Sequence, residues 1–186
     1  KQDAFAPEFW PTLTFKDALT LHVDGEDIEL IHYPNGHTDG DAVVYLRKAD
    51  VLFAADLFLG VKVRVAHPIG REDVRQQVTT IRRVLALRPK RVFDAHKGLL
   101  RDGPALLAAK ADWIEATVDR IDARIAEGWD DAAIVRDVFG GEVFLARTSQ
   151  GDFSRANFVA VVRSTCPPPN QITMAIAAEE RISTTG

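Results

Sequence analysis

Histidine and aspartate residues flank two short apolar runs near the middle of the chain. The runs, residues 41–46 and 51–54, are rich in valine, tyrosine and phenylalanine. The polar residues 47–50 join them, a pattern typical of a hairpin of buried strands. His37 precedes the first run and Asp56 follows the second. Because antiparallel pairing brings the start of one strand beside the end of the next, His37 and Asp56 are expected to meet at one sheet edge.

An imidazole and a carboxylate that converge at the edge of an apolar sheet are suitable ligands for a divalent metal, above all zinc. Simpler roles are open to the same residues. A histidine in a glycine-rich loop often only hydrogen-bonds within that loop, and Asp56 could cap a turn. Asp41 is expected to cap the turn before the first run. His22 and His32 are expected to be partly exposed strand residues, and His67 an exposed loop histidine.

Three motifs around this stretch resemble those of the metallo-β-lactamase-fold hydrolases. GHTDGD at residues 36–41 resembles the family's Gly-His-Thr-x-Gly loop. Ala55 and Asp56 stand where the family has a Gly-Asp turn after the next strand. DAHKG at residues 94–98 stands in the place of a later histidine turn. The resemblance implies an α/β (α+β) fold, in which this chain forms the C-terminal half of an αβ/βα sandwich with a helical C-terminal extension.

The resemblance also implies roles for particular residues. His37 would bind one zinc ion, Asp56 would bridge two, and His96 would bind the second, so the complete fold would hold one or two zinc ions. Thr38 and Asp39, beside His37, would orient it from outside the ligand set, although an Asx turn is an equally good role for Asp39. The family's metal-bound hydroxide hydrolyses esters, thioesters, lactones or amides, so the expected partner is a small-molecule substrate.

One motif of the resembled family is missing from this sequence. Its N-terminal half carries His-x-His-x-Asp-His, and no histidines here are close enough together to form it. His37, Asp56 and His96 would give each of two zinc ions only two ligands, whereas a catalytic zinc usually has about three. We therefore expect a truncated hydrolase that is inactive unless an N-terminal half completes it, with zinc binding that is weak or absent in this chain alone. The alternative is a non-catalytic remnant or interaction module that kept the fold and lost its metals.

The amino-acid composition excludes several classes of protein and of partner. A hydrophobic content of 46% in 186 residues argues against disorder and allows a sizeable core. The net charge of −4 provides no field that would attract nucleic acid, and no apolar run approaches the roughly 20 residues of a membrane helix. Neither nucleic acid nor a membrane is therefore expected as a partner. The single cysteine, Cys166, excludes an internal disulfide and leaves the cellular compartment undecided.

Hydrophobic periodicity predicts the elements that must position these residues. Apolar residues at spacings of three and four predict helices, and short β-rich runs predict strands. The predicted organisation is an arm at 1–12, a half-domain at 13–103, a helical extension at 104–166 and a tail at 167–186. One face of the sheet is expected to lack a helical cover, which favours a homodimer or a complementing N-terminal segment. Strands are predicted at 13–15, 19–23, 28–33, 41–46, 51–54 and 91–93, and helices at 71–87, 104–127, 130–138 and 155–163.

Overall fold

A computed structural model describes residues 11–68, 70 and 73–165. These residues form one six-stranded sheet in the order β1-β2-β3-β4-β5-β6. The neighbouring strands pair antiparallel, except that β4 and β5 are parallel. The strands are β1 (Ala18–Val23), β2 (Glu26–His32), β3 (Ala42–Leu46), β4 (Val51–Phe53), β5 (Arg91–Asp94) and β6 (Gly98–Leu100). The helices are α1 (Val74–Leu85), α2 (Gly103–Ala126), α3 (Asp131–Phe139), α4 (Phe144–Thr148) and α5 (Arg155–Thr165).

The predicted elements occur with three differences. No strand forms at residues 13–15, where Leu13 is 61% exposed and no register with β1 exists. A run of three residues is shorter than most strands, and no neighbouring strand pairs with it, so this prediction is wrong. The sequence pattern also did not predict β6 or α4, because each has only three to five residues and shows no period.

The face of the sheet that packs on the helices carries a row of paired side chains. Tyr45, Leu52, Val92 and Leu100 are register neighbours across four strands, and each is at most 8% exposed. Helix α2 packs on β5, and α1 packs on α2. Strands alternate their side chains between the two faces, so these residues face the helices while their neighbours face away. The core therefore lies between the sheet and the helices.

The opposite face of the sheet is apolar and partly exposed. Phe53 and Phe93 stack there with ring centroids 5.1 Å apart. Phe53 is 41% exposed and Leu99, at the β6 edge, is 56% exposed. Among residues 11–68, 70 and 73–165, helices pack on the other face of this sheet and leave this one partly exposed. The paired row on the open face consists of Leu19, Leu30, Val44, Phe53, Phe93 and Leu99.

Helices α1, α3 and α5 begin at polar side chains that accept hydrogen bonds from the first helical amides. The Asp73 carboxylate accepts hydrogen bonds from the amides of Arg75 and Gln76 at the start of α1. Asp130 caps α3 by accepting from the Ala133 amide. Ser154, as predicted, caps α5, with Glu142 beside it. Burial alone would raise the pKa of the Glu142 carboxyl, but hydrogen bonds from the α5 amides and the Ser154 hydroxyl outweigh it and lower that pKa.

Several predictions fall outside the described residues. They concern the arm before residue 11, Cys166 and the tail at 167–186. The predicted boundaries at residues 12, 103 and 166 stay predictions. Among the described helices, none combines the length and the apolar character needed to cross a membrane.

Candidate functional site

The loop between β2 and β3 carries His37 and is organised by Asp41. The Asp41 carboxylate accepts hydrogen bonds from the amides of His37 and Thr38, and from the Thr38 hydroxyl at 2.8 Å. A Cβ on Gly36 would lie 2.9 Å from Asp41 Oδ2, so only glycine leaves room for this arrangement. Asp41 therefore caps the loop, as the sequence predicted.

Helix α1 fixes the same loop from the core side. Gln77 Nε2 donates to the Gly36 carbonyl at 2.5 Å, and the Thr80 hydroxyl donates to the Pro34 carbonyl at 3.1 Å. Both side chains are at most 5% exposed. Sequence reasoning missed these two residues. The sequence did contain a sign of their role: two polar residues three apart lie on the apolar stripe of a helix. Polar groups buried at such positions need hydrogen-bond partners.

His37 lies beside His67, which belongs to the loop between β4 and α1. Their ring centroids are 5.5 Å apart, and both Nδ1 atoms are buried. The His67 ring also packs on Phe153, with centroids 4.6 Å apart. Together with Leu59, Val63 and other apolar side chains, the two rings line a cavity of about 170 Å³. His67 is half-buried, so the prediction that it is an exposed loop histidine is wrong. Its neighbour is 30 residues away in sequence, beyond the reach of a local pattern.

Asp56 and His96 meet at the ends of two neighbouring strands. The Asp56 Oδ1 and His96 Nε2 atoms are 2.9 Å apart, and the side chains are 43% and 62% exposed. Asp56 follows β4 and His96 follows β5, and the parallel pairing of these strands places both at the same edge. The ladder continues into the two turns, because the Ala95 amide donates to the Ala55 carbonyl at 3.1 Å. The Asp56–His96 contact therefore depends on the pairing of β4 with β5, which the sequence pattern did not predict.

Two residues shape the turns that present this pair. Ala55 has a φ of 47°, the left-handed region that glycine enters more easily, at the position where the resembled motif has glycine. Asp94 is 4% exposed, and its carboxylate accepts hydrogen bonds from the amides of His96, Lys97 and Leu59 at 3.1, 2.8 and 3.3 Å. Asp94 thereby ties the His96 turn to the segment after Asp56. Sequence reasoning missed it, although an aspartate that ends a buried strand two residues before His96 was visible.

Comparison with known proteins identifies the fold. No protein-family model matches the chain, and no curated protein matches it. Among solved structures, a metallo-β-lactamase family protein from Thermus thermophilus is similar, with 18% identity and a TM-score of 0.58 over 82% of this chain. The stereoselective inverting sec-alkylsulfatase Pisa1 from Pseudomonas sp. is 17% identical, with a TM-score of 0.59 over 82% of this chain. A double mutant of this sulfatase is 16% identical, with a TM-score of 0.61 over 86%.

The described chain has the metallo-β-lactamase fold. The resemblance drawn from GHTDGD and its companion motifs is thus confirmed at the level of fold. The match covers 47% of the Thermus protein and 26% and 29% of the two sulfatase structures, so this chain spans less than half the length of each. At these identities the likeness concerns the fold and not the activity.

Strand pairing places the His37 loop, Asp56 and His96 at one edge of the sheet. The His37 loop precedes β3, whose start lies beside the end of β4. The structure joins Asp56 to His96 and His37 to His67. Over residues 11–68, 70 and 73–165, no group of three or more histidine, cysteine, aspartate or glutamate residues is arranged to hold a metal ion.

The described residues at this edge provide imidazole and carboxylate donors, in pairs and not in a group of three or more. Zinc accepts imidazole nitrogen and carboxylate oxygen, and a catalytic zinc usually has about three protein ligands. The structure presents these donors in pairs. Metal binding by His37, Asp56 and His96, and the orienting roles of Thr38 and Asp39, stay predictions.

Proposed function

We propose that this chain is part of a metal-dependent hydrolase of the metallo-β-lactamase superfamily, with zinc as the metal. The observation that carries the proposal is the Asp56–His96 pair at the ends of two parallel strands of this fold. His37 at the same sheet edge would complete the chain's contribution. The substrate would be a small ester, thioester, lactone or amide. The remaining metal ligands would come from outside the described residues.

The residues of this chain would hold and orient donors. When bound, zinc would supply a Lewis acid and a source of hydroxide near neutral pH. Asp94 would keep the His96 imidazole in place through the turn amides, and Asp41 would do the same for the His37 loop. Because the described donors are only paired, we propose that this chain alone binds zinc weakly and has little hydrolase activity.

The second candidate belongs to a different class. A non-catalytic interaction module with this fold would need no metal and would use the open face of the sheet. Two observations favour it: the described residues contain no group of three metal-ligating side chains, and Phe53 and Leu99 are exposed on the open face. Metal binding separates the two candidates.

Zinc binding should depend on Asp56 and His96. In equilibrium dialysis of the purified chain against zinc, Asp56→Asn and His96→Gln are expected to lower affinity at least about tenfold, because each removes a donor. His22→Gln is the matched control. His22 Nδ1 forms an exposed pair with Asp27 Oδ1 at 2.7 Å on the β1–β2 hairpin, and this hydrogen bond lowers the pKa of Asp27.

An equal loss of affinity in His22→Gln would contradict the metal role of Asp56 and His96 and favour the interaction module. A wild-type chain that binds no zinc would contradict weak zinc binding by this chain alone. Ester and thioester turnover by a mass-verified preparation is expected to stay near background, and rapid zinc-dependent turnover would show that the chain builds a working site by itself.

We propose that the open face of the sheet is covered by a complementing N-terminal segment or by a second copy of this chain. Burial of apolar surface stabilises a protein by about 25 cal/mol per Å², and large apolar side chains left in water lose this free energy. For the purified chain alone, sedimentation is expected to show a two-fold dimer. Phe53→Ser combined with Leu99→Ser should shift it to monomer.

Phe144→Ser is the matched control for this experiment, since Phe144 is 75% exposed but lies on α4 and not on the sheet. It should leave the dimer unchanged. A dilute wild-type monomer that binds no apolar dye would show that the face needs no cover.

A further inference from the structure

Both ring nitrogens of His32 face backbone carbonyls. His32 Nδ1 lies 3.0 Å from the Lys16 carbonyl oxygen, and Nε2 lies 2.7 Å from the Asp39 carbonyl oxygen. Both distances are those of ordinary hydrogen bonds. The side chain is half-buried at the end of β2, between the segment that precedes β1 and the loop that carries His37.

The two partners restrict the protonation state of His32. A carbonyl oxygen can only accept, so each ring nitrogen must donate to form its bond. A neutral imidazole has one N–H, and only the imidazolium has two. Both bonds can therefore exist together only in the imidazolium form of His32. Removing one proton would turn a nitrogen lone pair toward a carbonyl lone pair and break one of the bonds.

The two His32 ring contacts, called the clamp below, hold the loop that carries His37. Asp39 lies two residues beyond His37, and the Asp17 carbonyl also accepts from the His32 amide at 2.9 Å, which anchors the β1 side. Other anchors of the loop, such as the amide of Gln77 and the hydroxyl of Thr80, do not titrate. Among these anchors, the His32–Asp39 bond involves the residue type that can change charge near neutral pH.

Charged groups surround the clamp on both sides. Lys16 and Asp17 lie on the segment before β1, and Asp39 and Asp41 lie on the loop. The Asp41 carboxylate is engaged by the loop amides. The hydrogen bonds of the His32 ring go to backbone carbonyls and not to these charged side chains.

We propose that His32 is a positioning residue whose protonation clamps the His37 loop against the segment before β1. Histidine ordinarily changes charge between about pH 5 and 8. At the low end of this range both bonds form and the loop is held. As the pH rises and the proton leaves, one bond is lost and the loop loosens. The clamp stands independently of the hydrolase proposal, and only its effect on metal binding through His37 rests on that proposal.

Nitrogen NMR of the metal-free wild-type chain tests the clamp. At about pH 5.5 both His32 ring nitrogens are expected to carry protons, with hydrogen-bonded shifts, and one should lose its proton as the pH rises. Exchange protection of the loop amides at residues 36–40, corrected for the intrinsic effect of pH, should fall by about tenfold or more over the same interval. A single tautomer of neutral His32 throughout the range would overturn the proposal.

Two variants separate the clamp from general stability. His32→Gln should abolish the pH dependence of loop protection, whereas His22→Gln on the same hairpin should retain it. The same pH response in His32→Gln as in wild type would also overturn the proposal. Zinc affinity is measured last. If the clamp titrates but zinc affinity does not follow it, the clamp stands and the metal role of His37 fails.

Discussion

Gly103→Ala is expected to be among the most destabilising single-methyl changes in this protein. Gly103 opens α2 against the sheet, and a Cβ built there would lie 2.6 Å from Val92 Cβ and 3.3 Å from Leu100 Cβ. Val92 is 0% exposed, and its Cβ is fixed to the β5 backbone. The clash can be relieved only if α2 or β5 shifts. Overpacking of this kind costs about 1–3 kcal/mol, more than the roughly 1 kcal/mol that alanine gains over glycine in a helix.

Urea unfolding of the purified chain measures this effect. The midpoint of Gly103→Ala should fall clearly below that of the wild type, with a similar slope. Gly40→Ala is the matched control, because a Cβ there meets no atom within 4 Å and the backbone needs no left-handed conformation. Equal midpoints for Gly103→Ala and wild type would show that α2 does not lie against β5 as described.

Asp94→Ala is expected to damage both stability and the candidate metal site. The Asp94 carboxylate is 4% exposed and accepts from three amides, which hold the His96 turn and the segment after Asp56. Removing a buried, charged acceptor leaves these donors without their partner, at a cost of about 1.5–3 kcal/mol. Because the turn presents His96, zinc affinity is expected to fall by about 10–100-fold as well.

Asp130→Ala provides the control for Asp94→Ala. Asp130 also accepts an amide hydrogen bond, at 2.7 Å from Ala133, but it caps α3 away from the candidate site. Its loss should cost about 1 kcal/mol and leave zinc affinity unchanged. Unfolding midpoints and zinc dialysis on both variants test the difference. If Asp94→Ala resembles Asp130→Ala in both measurements, Asp94 has no special role at this edge.

Local sequence patterns were sufficient to predict the elements around the site. The Asp24-Gly25 turn joins β1 and β2, where both residues have positive φ, and the valine-rich runs form β3 and β4. Period-two and period-3.6 patterns are local properties, so they can be read without knowing which elements touch. Antiparallel pairing of β3 and β4 then sufficed to place His37 and Asp56 at one sheet edge.

The contacts among these groups depend instead on how whole elements pack. The Asp56–His96 contact requires β5 to pair parallel to β4 after α1, and the His37–His67 contact requires the loop after β4 to fold back. The clamp of His32 joins residues 16 and 39 through one ring. These contacts link residues that are distant in sequence, and no local period encodes the packing that brings them together. The sequence therefore indicated the edge of the sheet, and tertiary packing selected the pairs that meet there.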